Sequence, residues 1–199
     1  MKQRVKRPQE TRRAILDAAG AEFSAHGYAG SGLGAITART GLTKGALFHH
    51  FPDKRSLAAA WVSESLMDEM RRLWIAPLDQ IRSLELFEKF LRSRVMEMDS
   101  SDPLAVWVLL SSETAHADAA MGNVLEAASA LLRTELAAIL ENGKSSGWIH
   151  RSIRPEHEAM FLCAALSGFT VTFRMDAGES TRRGCAESLA AYLETLRAQ

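Results

Sequence analysis

An all-α fold of about nine helices is what this sequence predicts, and three observations carry that expectation. Glycine and proline, 13 and 5 of 199 residues, make up about 9% of the chain against roughly 12% on average, which favours long helices over loop-rich β structure. Apolar residues recur at the helical period in segment after segment. Cap and turn residues separate those segments at helix-length intervals. With 47% apolar content, the chain can bury a substantial core in one or two domains.

The first helix is expected over 9–26, where Ile15, Leu16, Ala19 and Phe23 share a face and Gly27-Tyr28 is the stop. Gly20 sits inside it, at about 1 kcal/mol against alanine unless another backbone packs there. A short second helix starts with Leu33 and Ile36, is capped by Ser31 or Gly32, and runs to about Thr40. Gly41 suits its left-handed end, and Thr43 caps a third helix that Pro52 closes near His50 or Phe51. Asp53 caps a long fourth helix from Lys54 towards Ile75, with Leu57, Trp61, Leu66, Met70, Leu73 and Trp74 as its apolar stripe. Pro77 closes it.

Helices follow at about 79–98, 103–116 and 119–142, with Asp102-Pro103 as a start and Asn142-Gly143 as a stop. A polar connection over 145–154 contains Trp148 and Ile149. Pro155 opens an eighth helix whose Glu156 and Glu158 suit the helix dipole. The ninth is expected over about 180–197.

Composition narrows the function classes. No apolar run of about 18 residues occurs, and the basic N-terminus has no apolar segment after it, so the reading is a cytoplasmic protein with neither a membrane span nor a signal peptide. Cys163 and Cys185 lie far from C-x-x-C spacing and read as buried, inert thiols rather than zinc ligands. Gly30-Ser31-Gly32-Leu33-Gly34 follows a helix rather than a strand and does not fit a nucleotide-binding glycine loop. Adjacent helical residues point about 100° apart, so His49 and His50 are poorly placed to chelate one ion. No metal or cofactor is expected. Catalytic spacings such as a nucleophile elbow or HExxH are missing, which argues against an enzyme.

Net charge is zero, but its distribution is uneven. Residues 1–57 carry ten Lys/Arg against four acids, a local balance of +6 that the remainder offsets with −6. A basic quarter on an acidic body fits a DNA-reading head joined to another domain. Residues 41–57 add the shape. A glycine turn, a very short helix with Lys44, Phe48 and His49, and a proline-marked restart fill one helix-turn-helix length. Such a helix must be held by its neighbours. The opening arm of Lys2, Arg4, Lys6 and Arg7 suits phosphates or a minor groove.

Over roughly residues 10–58, the residues Ile15-Leu16-Asp17-Ala18-Ala19, Phe23, Gly27-Tyr28, Ile36-Thr37, Gly41 to Phe51 and Lys54 resemble the TetR/AcrR-type transcriptional regulators. The resemblance implies a three-helix helix-turn-helix head over 1–56 and a helical ligand-binding and dimerisation domain over 57–199. It also implies a homodimer that represses genes from a palindromic double-stranded operator, released by a small-molecule effector. By position, Ser31, Leu33, Thr43, Lys44, Gly45, Ala46, Phe48 and His49 are expected to face DNA, with Lys54 at a backbone phosphate. Gly45 and Ala46 lack bulk and let the backbone approach base edges. This chain departs from the family in having Phe48 where tyrosine is usual, Gly32 where threonine is usual, and Gly34 where a polar residue is usual.

In the remaining helices, Met67, Met70, Trp74, Phe87, Phe90, Trp107, Phe161 and Phe169 suit core packing singly and an adaptable apolar pocket as a group. Met96 and Met121 belong to the same set. Glu113, Thr114 and His116 are candidates for its polar contacts. Ala164, Ala165 and Gly168 on helix eight, with Leu189, Tyr192, Leu193 and Leu196 on helix nine, are expected to build a four-helix dimer interface. A body that answers to a protein partner is the alternative to a largely apolar effector.

Overall fold

The computed structural model describes residues 8–114 and 119–198. Lys2, Arg4, Lys6, Arg7 and His116 lie outside them. The described residues are helical throughout apart from one isolated backbone bridge, between Ile149 and Arg197, and the connecting turns. Helix α1 spans Pro8–Gly30, α2 Leu33–Thr40 and α3 Lys44–His50. The long fourth helix is composite: α4 Lys54–Trp61, a π-helical turn Val62–Leu66, α5 Met67–Met70 and a second π-helical turn Arg71–Ile75. A 3₁₀ turn Ala76–Gln80 precedes α6 Leu84–Glu97, α7 Pro103–Thr114, α8 Ala119–Ser146, α9 Pro155–Met175 and α10 Glu179–Glu194. No described helix is long and apolar enough to cross a membrane.

Local chemistry explains the boundaries. Thr43 accepts from the Ala46 N–H at 3.2 Å and Asp53 from the Ser56 N–H at 2.7 Å, the two caps expected around the helix-turn-helix. Helix α2 starts at Gly32 with no side-chain cap, because Ser31 turns inward instead. The helix expected from 79 begins only at Leu84, where Ser83 caps it through the Leu86 N–H. Helix α8 runs past Gly143 to Ser146. Gly143 leaves room for Trp148 and Ile149 to fold back, and the left-handed residue that ends the helix is Gly147, at φ 79°.

Two compact units share the chain. One takes Met1–Glu69 with Leu109–Leu125, and the other takes Met70–Val108 with Glu126–Gln199. In the first, α1 packs on α2 and α4 around Ile15, Phe23, Ile36, Leu47, Leu57 and Trp61. The neighbour of Gly20 is a side chain rather than a backbone: a methyl at Gly20 would lie 2.9 Å from Cε2 of Trp61, whose indole tilts against Phe23 at 5.5 Å.

In the second unit, α10 packs along α6 and contacts α9 over a continuous apolar core that includes Trp74, Phe87, Leu91, Leu136 and Leu162. A buried polar cluster fastens the start of α7. Asp102 accepts from the Trp74 indole N–H at 3.0 Å and the Leu104 N–H at 2.9 Å, and pairs with Arg94. Burial pushes the Asp102 carboxyl above its ordinary range, and those partners pull it back.

Candidate nucleic-acid interface

Helix α3 is seven residues long and has one fully buried side chain, Leu47. That anchor, with Phe51 buried just past the C-terminus, seats the helix, and α2 packs against it. Thr43, Lys44, Gly45, Phe48 and His49 are exposed, and Ala46 is half-buried. Phe48 keeps 45% of its surface accessible, unusual for a large apolar residue with a core beside it. Leu33 on α2 is half-buried. The rings of His49 and His50 meet edge to face at 5.6 Å, and no metal-binding cluster of His, Cys, Asp or Glu occurs among the described residues.

Two predicted contact residues are turned elsewhere. Ser31 is only 5% exposed, and its hydroxyl donates to the Tyr28 carbonyl at 3.0 Å. The Lys54 ammonium donates to the Ser31 carbonyl at 2.6 Å and lies 4.6 Å above the Tyr28 ring. Burial pushes the Lys54 ammonium below its ordinary range while the charge of Glu113 pushes back. Lys54 is thus engaged in closing the α1–α2 corner. Other head cations are engaged too. Arg12 pairs with Glu64, holding that carboxyl below its usual range, Arg13 pairs with Asp17 at 3.0 Å, and Arg39 meets the buried Glu22 at 2.7 Å. Lys44 is exposed, with no carboxylate of a described residue against it.

The family model described as "Bacterial regulatory proteins, tetR family" matches residues 15–61, the stretch that builds α1 to α4. Over these residues the chain is similar to the tetR family. Over 58 residues it is 40% identical to the HTH-type transcriptional repressor AcnR of Corynebacterium glutamicum, a match covering 29% of this chain and 31% of that protein. A longer match, 26% identical over 179 residues, is to the A-factor receptor protein of Streptomyces griseus, covering 89% of this chain and 60% of the relative. These matches span less than two thirds of either relative's length. The fold is that of a TetR transcriptional regulator from Chloroflexus aurantiacus, with a TM-score of 0.83 at 22% identity, covering 96% of this chain and 98% of that one.

The body of the chain places the predicted pocket residues unevenly. Met70 and Trp107 do line one cavity, with Leu104, Ala128, Ser129, Leu132, Cys163 and Ser167. It is tight, about 10 Å³, a space that holds about one water. Trp74 and Phe87 are fully buried core, Phe90 and Phe169 pack against that core, and Met67 is buried in the head unit. Phe161 is 51% exposed and its ring tilts against Tyr192 at 4.5 Å, so it lies on the surface. Glu113 also belongs to the head unit, and Thr114 is buried with its hydroxyl donating to the Leu110 carbonyl. Burial pushes the Cys163 thiol up to about 11, away from the reactive thiolate.

The α10 half of the expected dimer surface is a correction. Leu189, Leu193 and Leu196 are buried in the protomer's own core, where α10 packs along α6. Tyr192 is half-buried and donates its hydroxyl to Glu158. On α9, Ala164 and Gly168 are exposed and Ala165 is half-buried. Sequence reasoning missed their neighbours on the surface, Met160, Val171 and Met175, the last 86% exposed. The signal was present in α9, which is apolar on more than one face.

Proposed function

We propose that this protein is a dimeric transcriptional repressor that reads an inverted-repeat operator with α3 and is released by a small, largely apolar effector. The observation that carries the reading is α3 itself: a helix seated by Leu47 that turns Thr43, Lys44, Gly45, Phe48 and His49 outward, inside the stretch that matches the family. Lys44 supplies a phosphate contact, and Gly45 with Ala46 keeps the helix slim enough for a close approach to base edges. Phe48 offers an apolar face to a thymine methyl in place of a phenolic hydroxyl. Leu33 and His49 complete the contact set, while Ser31 and Lys54 support it from behind through Tyr28.

Two heads related by a twofold axis read half-sites about one helical turn apart. The surface for the second copy is the exposed apolar face of α9, with Phe161, Ala164, Gly168, Val171 and Met175. The effector enters the body at the Met70, Leu104, Trp107 and Cys163 cavity, which must widen, because drug-sized ligands take about 300 Å³ or more. That the similar A-factor receptor protein is a receptor by name supports a ligand-responsive body.

The tightness of the same cavity also favours a second reading, in which the body answers to a protein partner. Enrichment of duplexes from a random pool, followed by footprinting, tests the DNA reading; an inverted repeat bound by a dimer is expected, and no enrichment would overturn it. Thermal shifts against a panel of apolar ligands separate the two readings of the body: a ligand that both stabilises the protein and releases the duplex supports the effector.

A further inference from the structure

Glu113 lies far along the chain from the helix-turn-helix, yet its carboxylate closes the corner between α1 and α2. Oε2 accepts from the N–H groups of Tyr28 at 2.5 Å and Ala29 at 3.1 Å. Gly27 makes this possible. Its φ of 69° and ψ of −176° break the helical run, so the next two amides are free to bond a side chain. Its missing side chain matters equally, since a Cβ there would lie 2.8 Å from the Glu113 carboxyl carbon. Paired amides on an ionised carboxylate are charge-assisted bonds, stronger than neutral ones. Lys54 ties the same corner through Ser31 and the Tyr28 ring.

The corner decides where α2 begins, because α2 has no side-chain cap of its own. Helix α2 in turn packs against α3. Glu113 thus stands two steps behind the proposed reading helix, while touching none of its exposed residues.

We propose that Glu113 is a positioning residue for DNA binding, acting through its clamp on Tyr28 and Ala29. This rests on the DNA-reading function proposed above and names a residue that positions it.

The test uses the full chain and a duplex that the wild-type protein itself enriches from a random pool, with binding followed by fluorescence anisotropy. Glu113→Ala is expected to weaken binding about tenfold, within the usual range of coupling, with an unchanged salt slope because Glu113 meets no phosphate. Glu113→Gln, which keeps an acceptor oxygen, should recover part of the loss. Amide exchange at Tyr28 and Ala29 should accelerate in Glu113→Ala. Glu113→Gln carries the comparison if Glu113→Ala fails to fold. Equal binding by wild type and Glu113→Ala would overturn the positioning role. If the wild type enriches no duplex, the DNA-reading function falls and this inference falls with it.

Discussion

Replacing Lys44 by glutamine separates the charge that meets DNA from the charge that folds the head. Lys44 is exposed and occupies the first turn of α3, where a cation opposes the helix dipole at a cost of about 0.3–1 kcal/mol. Glutamine is a comparable helix former. Stability should therefore hold or rise by about a few tenths of a kcal/mol, while DNA binding loses one phosphate contact per head. For a dimer with two heads, the slope of log K against log salt should fall by about 1.8, so wild type loses about 12-fold more affinity than Lys44→Gln between about 50 and 200 mM salt. Arg12→Gln is the control. Arg12 is paired with Glu64 and stacked 5.1 Å over Phe51, so its loss should lower stability, by about 0.2–1 kcal/mol for a partly exposed pair, and leave the salt slope alone. Anisotropy titrations at several salt concentrations, beside urea denaturation, read both quantities. An unchanged slope in Lys44→Gln, or an equal change in Arg12→Gln, would refute the assignment of Lys44 as the phosphate-facing cation.

Three further outcomes follow from the same geometry. Arg12 holds the Glu64 carboxyl below its ordinary value of 4.5, so the pair's contribution is complete above that pH and is lost as pH falls through the lowered folded value; Glu64→Gln should flatten this part of the acid dependence of melting. Gly34 sits in α2 with nothing within 4 Å of where an added methyl would lie, so Gly34→Ala should stabilise by about 0.5–1 kcal/mol, whereas Gly20→Ala drives a methyl into Trp61 and should destabilise by about 1–3 kcal/mol less the helix gain; urea midpoints that move in the same direction would contradict this. Phe161→Glu should yield a folded monomer in light scattering, whereas Leu193→Glu, in the protomer core, should unfold the body; a Phe161→Glu dimer would rule out the α9 face.

Most of the helical pattern was legible because its causes are local. Thr43 and Asp53 cap where their side chains reach the third amide, and Gly41 ends α2 at φ 67°. The two π-helical turns in the fourth helix left no mark in the periodicity, which still reads as one stripe through Trp61 and Trp74. The candidate site was legible in part. Lys44, Phe48 and His49 are outward because Leu47 is the one buried position of a very short helix. Ser31, Lys54 and Glu113 could not be sorted the same way: each is polar, and only the folded corner shows that a hydroxyl, an ammonium and a carboxylate are all used on the backbone of residues 28–31. Counting the +6 charge of the head likewise overstated its reach, since Arg12, Arg13 and Arg39 are paired with Glu64, Asp17 and Glu22.

The proposed dimer surface shows why an apolar stripe names a buried face but not what buries it. On α10, Leu189 and Leu193 meet the protomer's own core, and the opposite face carries the small, exposed Gly184, Ser188 and Ala191. Helix α9 has two apolar faces. At about 100° per residue, the buried Ala159, Leu162, Leu166, Thr170 and Phe173 fall on one arc, and the exposed Met160, Phe161, Ala164, Gly168, Val171 and Met175 fall on the opposite one. A helix that is apolar on both sides needs a second covering. The protomer supplies only one among the described residues. Exposed large apolar side chains grouped on one helix face mark an interaction surface rather than scattered surface hydrophobics. The small residues of α10 and the large ones of α9 then have complementary roles, since small residues let a partner helix approach and large ones fill the gap it leaves. On this argument the proposed second copy would dock on α9 first, and α10 would contribute close approach through Gly184 and Ala191 rather than through its leucines.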